Sequence, residues 1–379
     1  MQQSFLGKGT PVRLFFRSGL ALILAGAMVP TVSATGFKRS TYSAEGLGVA
    51  NALGADAEHV SSMAYNPAAL AFQEGAHLQA GLMRSYLKVE SSGGGVSRPD
   101  QKLYVDDLYA TYRDPAWSFG TGLAINRPFR IDSKWDFEQT GAATRTELNL
   151  VDVNPTVSYR LRPGLALAVG ADYYRALDFE YSEVGTVRKG DGDGWGGTVG
   201  LMFWRESWSV AATYRSGADL EMTGQNLDGS TFHLPSRARI GFKFRPSLGW
   251  SIHLDAVRTG WNEYEGLEGV DPGKDWESTV GYKAGAILRL SDRSDIRFGY
   301  SYEPDPKNQA TFDPRSNSGN RHMLTVGTGW EGDNFTFDLA YGYAISPTQD
   351  LDGAPVDAYN GRNRTNAQYL MFSLGYSNF

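Results

Sequence analysis

The sequence predicts an all-β fold: a transmembrane antiparallel β-barrel of about fourteen strands, with an N-terminal hatch, or plug, inside the lumen. Three observations carry the prediction. Apolar and polar residues alternate with period two after residue 76, short and long polar breaks alternate between those segments, and the tryptophans gather near segment ends. The expected domains are a signal peptide at 1–34, a hatch at 35–75 and the barrel at 76–379.

Lys8, Arg13 and Arg17 form a positive stretch ahead of the apolar run 20–29, and Val32, Ser33 and Ala34 supply small residues before a cleavage point. This is the order of a secretory signal, and the apolar run is too short to span a bilayer as a helix, so 1–34 is expected to be removed. The following stretch, 36–70, is rich in small residues and has no clean period of 2 or 3.6. A compact plug fits that composition, with Asn66-Pro67-Ala68 as its turn.

Past residue 76 the period is two. Phe335, Phe337, Leu339, Tyr341 and Tyr343 share one face, with Thr336, Asp338, Ala340 and Gly342 on the other; segments 208–214 and 296–302 repeat the pattern. Alternation alone does not distinguish a core from lipid. The spacing of breaks does. Tight breaks at 113–116, 160–164, 205–207, 245–248, 291–294 and 331–334 are interleaved with longer ones near 91–100, 130–145, 183–192, 224–231, 262–275, 304–320 and 346–366. Interleaved short turns and long loops require about fourteen strands, each of about nine or more residues, the length of a tilted membrane strand.

Trp117, Trp195, Trp204, Trp208, Trp250, Trp261, Trp276 and Trp330 fall near segment ends, the headgroup level an amphipathic ring prefers, with Trp135 in a loop. Phe379 closes the chain with an aromatic residue, out of step with Leu370, Phe372, Leu374 and Tyr376.

Composition excludes several classes. With no Cys there is no disulfide framework, thiol nucleophile or CxxC site, and a net charge of -6 offers no basic footprint for nucleic acid. The histidines, His59, His77, His233, His253 and His322, show no metal spacing, and no Ser-His pair with an orienting third group can be placed, so neither an enzyme nor a cofactor is expected. Asp191 to Gly197 reads as a loop running into a strand, without the further ligands of a calcium or nucleotide site.

Gly46-Leu47-Gly48 followed by Asn66-Pro67-Ala68 resembles the N-terminal hatch of the FadL/TodX family of outer-membrane transporters of long-chain fatty acids and hydrocarbons. Further landmarks occur in the family's order: Trp117-Ser118-Phe119-Gly120, Asn126-Arg127-Pro128-Phe129, Val153-Asn154-Pro155, Gly192-Asp193-Gly194-Trp195, Tyr214-Arg215-Ser216, Leu234-Pro235 and Arg297-Phe298-Gly299-Tyr300. The loop 313–321 departs from the pattern in lacking an Ile-Pro-Asp turn ahead of Arg321. The resemblance implies a multi-pass protein of the Gram-negative outer membrane, a monomeric barrel in contact with lipid and lipopolysaccharide, inserted by the barrel-assembly machinery, whose C-terminal aromatic signal Phe379 resembles. It implies passive uptake of a hydrophobic small molecule and an exit through the wall at a kink in the third strand. Gly120, Gly122, Asn126 and Pro128 mark that strand, two glycines removing side chains and a proline unable to donate to the ladder.

By parity, Asp172, Lys243, His253, Asp255, Lys283, Arg297 and Asp338 face the lumen. Lys243, Lys283 and Arg297 are candidates to hold a fatty acid carboxylate by charge-assisted hydrogen bonds; the competing reading is a set of cross-lumen salt bridges. The rival functions are a structural or adhesive barrel and a general porin.

Overall fold

The computed structural model describes residues 41–91, 95–99, 103–137, 142–183, 186–264, 275–307, 319–352 and 361–378, all within one compact unit, Val32–Phe379. The expected signal segment and Phe379 lie outside these residues.

The strands are β1 (Gly75–Ser91), β2 (Gly95–Pro99 and Leu103–Arg113), β3 (Phe119–Phe137), β4 (Ala142–Arg162), β5 (Leu165–Glu183), β6 (Thr186–Trp204) and β7 (Trp208–Arg215 and Ala218–Gln225). They continue as β8 (Thr231–Leu234 and Arg237–Ser247), β9 (Trp250–Thr259), β10 (Thr279–Ser291), β11 (Ser294–Glu303), β12 (Arg321–Glu331), β13 (Phe335–Ile345 and Gln349–Leu351) and β14 (Gly361–Asn378). Four of the 18 hydrogen-bonded segments are thus continuations of another, leaving a 14-stranded wall. Neighbours are antiparallel, and β14 pairs back onto β1 from Ala76↔Asn378 to Ser91↔Asn363, which closes the barrel and leaves no open edge.

Side-chain polarity is inverted relative to a soluble barrel. On β13, Phe335, Phe337, Leu339 and Tyr341 are exposed while Asp338, Ala340 and Ala344 are buried; Trp208, Val210 and Tyr214 on β7 and Phe298 and Tyr300 on β11 likewise face out. A closed wall with an apolar exterior and a charged interior pairs its backbone strand to strand while facing hydrocarbon. No helix among the described residues is long and apolar enough to cross a membrane.

Three of the long breaks are shorter than the sequence suggests. β1 reaches Ser91 and β2 starts at Gly95, β3 runs to Phe137 with β4 beginning at Ala142, and β5 and β6 are joined around Glu183↔Thr186. Trp135 therefore lies in β3 rather than a loop, and Asp191 to Gly197 lies within β6. These polar, Gly-rich stretches keep pairing because a ladder satisfies backbone groups whatever the side chains face.

The tryptophan reading also needs correction. Trp117, Trp195, Trp208, Trp250 and Trp330 are exposed on the outer wall, although Trp195 sits mid-strand in the extended β6. Trp261 and Trp276, at the two ends of the connection between β9 and β10, are buried. They pack with Tyr264 (Trp261–Trp276 centroids 5.3 Å apart, Tyr264–Trp276 4.6 Å) on inward residues of β4, β5, β7 and β8, including Leu150, Tyr174 and Leu220. Proximity to a strand end specifies a level along the wall but not which side of it a ring occupies.

Candidate functional site

Residues 41–73 occupy the lumen, where almost every side chain is buried. Their local structure is short: α1 (Ala44–Gly48), α2 (Ser62–Tyr65) and a 3-10 helix, Pro67–Phe72. Ser43 caps α1, its Oγ accepting from Gly46 N at 3.0 Å, and helices this brief owe their stability to surroundings rather than propensity. Ala50 and Asn51 hold successive left-handed conformations (φ 52° and 66°), costly for residues with a Cβ. The barrel holds that turn, with Ala50 N donating to Thr325 Oγ1 at 3.2 Å and Arg239 Nη1 to the Asn51 carbonyl at 2.9 Å, and within the segment Tyr65 OH donates to Asn51 Oδ1 at 2.8 Å.

Anchors come from around the wall. Ala44 N donates to Ser373 Oγ on β14 (3.1 Å), Gly54 N to Asp255 Oδ2 on β9 (3.0 Å), Ser209 Oγ on β7 to the Ala55 carbonyl (2.6 Å), and Gln79 Nε2 on β1 to Glu45 Oε2 (3.1 Å).

The Asn66-Pro67-Ala68 turn is a capped helix start. Asn66 Oδ1 accepts from Ala68 N at 3.0 Å, Pro67 takes the first helical position, and Asn66 Nδ2 donates to the Leu201 carbonyl of β6 at 3.0 Å. A Cβ on Gly200 would lie 2.3 Å from Asn66 Oδ1, so the turn is seated on β6. The rest of its helix reaches β3. A Cβ on Gly120 would meet the Leu70 carbonyl oxygen at 2.8 Å, and one on Gly122 would meet Met63 Cε at 2.8 Å and Leu70 Cδ1 at 2.9 Å. Asn126 is fully buried, its Oδ1 2.7 Å from the Tyr109 hydroxyl, which is also 2.6 Å from the Tyr42 carbonyl. Around Pro128 the β3–β4 register shifts between Asn126 and Phe129, and the β2–β3 ladder stops at Asp107↔Asn126, resuming at Pro99↔Ser133.

Each candidate lumen cation meets carboxylates. Lys243 Nζ lies 2.6 Å from Asp56 Oδ1 and 2.8 Å from Glu58 Oε1. Lys283 Nζ donates to Glu303 Oε1 at 2.8 Å, and Glu303 Oε2 accepts from Arg321 at 2.7 Å. Arg297 donates to Asp338 at 2.6 Å and to Asp295 at 2.9 Å. Asp172, His253, Asp255 and Asp338 are buried with them. The sequence places Arg215 only in a family landmark and not among the lumen charges, yet it bridges Asp152 (2.7 Å) and Asp172 (2.9 Å); the carboxylates of the lumenal segment are missed as well. Inward parity on β7 marks Arg215; no period marks Asp56 and Glu58.

Asp56 organises the segment it belongs to. Oδ2 accepts from Glu58 N (3.0 Å), His59 N (3.1 Å) and Ser62 Oγ (2.7 Å) and faces His59 Nδ1 at 2.8 Å. Burial by itself raises its pKa, but Lys243 and His59 outweigh that and hold the carboxyl well below the usual range. His59 is pushed up to about 9, burial lowering it and the Asp56 carboxylate more than reversing the effect.

The lumen is graded along its axis. At the end away from the short turns lies the Trp261–Trp276 cluster; in the middle, Met63, Tyr65 and Leu70 pack with Tyr109 and Ala124; on the short-turn side a cavity of about 500 Å³ is lined by charged and polar groups including Glu45, His59, Arg297 and Asp338 together with apolar ones such as Phe72, Trp204 and Ile287. Among the described residues no group of His, Cys, Asp and Glu is arranged to hold a metal ion.

Residues 26–377 match the family described as outer membrane protein transport protein (OMPP1/FadL/TodX). Solved structures with the same fold include a Pseudomonas aeruginosa FadL homologue (TM-score 0.76, 16% identity, covering 90% of this chain and 100% of that one). The P. putida toluene transporter TodX (TM-score 0.66, 16% identity, 89% and 99%) and the Ralstonia pickettii toluene transporter TbuX (TM-score 0.65, 14% identity, 90% and 99%) are also similar. No curated protein sequence matches the chain. A charged lumen, a lipid-facing exterior and a family match across the whole described barrel lead to one assignment: this chain belongs to the FadL/TodX family of outer-membrane transport proteins.

Proposed function

We propose that the protein takes up hydrophobic small molecules passively across the outer membrane, with the lumenal segment acting as a hatch and the molecule leaving sideways into the bilayer. The observation that carries this reading is the filled lumen. A general porin needs a continuous aqueous path, and here residues 41–73 are buried across the barrel and bonded to strands on every side of it. The axial gradient supports the sideways exit. An apolar molecule entering past the Trp261–Trp276 cluster meets the apolar residues of the hatch, whereas a straight path to the short-turn side crosses ion pairs, Lys243 with Asp56 and Glu58 and Arg297 with Asp338, that it would have to separate. Lys243, Lys283 and Arg297 serve in this reading as cross-lumen pairs, because a substrate carboxylate would have to displace carboxylates already within 2.9 Å. The relatives named as toluene transporters extend the substrate class to aromatic hydrocarbons.

The test is uptake of labelled oleate and labelled toluene by a transport-deficient Gram-negative strain expressing this chain. Accumulation of either above the empty-vector strain is expected. A barrel that assembles in the outer membrane and moves neither would leave the structural or adhesive role.

A further inference from the structure

We infer that the cavity on the short-turn side of the lumen is a binding site for a small organic cation, an alkylammonium whose charged head meets Glu45 and whose chain lies along Phe72, Trp204 and Ile287. The site is separate from the route proposed for transported hydrophobic molecules and does not depend on it.

Glu45 is 3% exposed, and among the described residues its carboxylate has no cation within ion-pair distance. Its oxygens accept from neutral donors, Ser61 Oγ at 3.2 Å and Gln79 Nε2 at 3.1 Å. Arg297, which lines the same cavity, is already shared between Asp338 (2.6 Å) and Asp295 (2.7 Å). The other guanidinium groups of the cavity have carboxylates of their own: Arg245 meets Glu58, Arg293 meets Asp333 at 2.7 Å, and Arg289 stands across the ladder from Asp295. A charge held away from water without an opposite charge is unfavourable, so Glu45 calls for a cation from outside the chain.

Gln73 makes a second demand of the same kind. It is buried, its Nε2 donates to the His59 carbonyl at 2.6 Å, and its Oε1 has no hydrogen-bond partner. Buried acceptors are rarely left unsatisfied, and Gln73 and Glu45 line one space. A primary ammonium group brings three donors and no acceptor, which suits two acceptors and a negative charge. The wider lining has the same sign, with seven carboxylates against four guanidinium groups.

The rest of the cavity is apolar and specifies the remainder of the ligand. Phe72 stacks on Trp204 with centroids 5.6 Å apart, and Val60 and Ile287 are partly buried beside the hatch core. A volume of about 500 Å³ falls in the range of small-molecule sites and leaves room for a short alkyl chain. A bare metal ion would make no use of these rings, and no metal-holding group occurs among the described residues. A carboxylate amphiphile would bring a like charge to Glu45.

Calorimetric titration of the purified protein in a neutral detergent tests the site, with n-hexylammonium, hexanoate and hexan-1-ol as probes. Hexylammonium is expected to bind, with hexanoate and hexanol weaker by about tenfold or more, the worth of one charge-assisted contact. Glu45→Gln should weaken hexylammonium by a similar factor, and Ile287→Trp, which narrows the cavity while leaving Glu45 in place, should abolish binding. Assembly of both variants is checked by heat-modifiable gel migration. Failure of the wild type to bind hexylammonium, hexanoate binding as tightly as hexylammonium, or undiminished hexylammonium binding in either folded variant overturns the assignment. None of these outcomes bears on uptake of oleate or toluene, so the site and the transport reading fail independently.

Discussion

The Lys243 ammonium on β8 lies 2.6 Å from the Asp56 carboxylate of the lumenal segment, with both side chains almost wholly out of solvent. This pair joins a wall strand to the turn that Asp56 caps, so it couples the position of the segment to the barrel. Breaking a buried pair by removing one partner leaves the other charged and unpaired, at a cost of about 3–5 kcal/mol. Lys243→Met is therefore expected to loosen residues 56–62 without unfolding the wall. Maleimide labelling of a cysteine introduced at Ser61 should accelerate in this background and stay slow in Lys243→Arg; equal labelling in all three proteins would show that the pair is not a latch.

His59 gives the same latch a pH dependence. Its pKa is raised in the folded protein to about 9 from the usual 6.5, so its contribution is complete below 6.5 and is lost as pH rises towards 9. Labelling at position 61 should rise across that window more steeply in the His59 protein than in His59→Gln, where the thiol's own ionisation alone accelerates it. The Asp56 carboxyl acts oppositely: its pKa is lowered, so its share fails only on acidification well below 3.8.

Gly122 has no room for a side chain, since a Cβ there would press on Met63 and Leu70 at under 3 Å. Gly122→Leu should overpack the contact by about 1–3 kcal/mol and push the 3-10 helix off β3. The expected readout is a lower melting temperature together with higher ion conductance in planar bilayers. An unaltered melting temperature and conductance would mean that the segment does not rest on this wall.

Removal of residues 35–75 should convert a filled lumen into an open one. Liposomes carrying the deleted chain are expected to swell in small sugars faster than those carrying the full protein, and identical swelling rates would defeat the hatch.

Lys283→Met and Arg297→Met distinguish pairing from substrate capture. With each cation committed to carboxylates, oleate and toluene uptake should fall together in proportion to folded protein. Selective loss of oleate uptake with toluene spared would assign a carboxylate site to the lumen.

Side-chain period and break length are enough to read the barrel from the amino-acid order. A strand exposes alternate residues to different solvents, so Phe335, Phe337 and Leu339 against Asp338 already state an outside and an inside, and the six short breaks fix one end of the wall. The inward placement of Lys243, Lys283 and Arg297 follows from the same parity. Partnership was decided only by tertiary structure. Asp56 lies 187 residues from Lys243, in a segment with no period, and nothing local specifies that they meet. The same holds for Trp261 and Trp276, whose position near strand ends is compatible with either side of the wall until they pack inward with Leu150 and Leu220. A proline in a strand announces a missing donor, but which group bridges the gap, the Arg127 guanidinium to the Val105 carbonyl near Pro128 or the Asn154 amide to the Ala171 carbonyl beside Pro155, depends on which neighbours the closed sheet brings beside it.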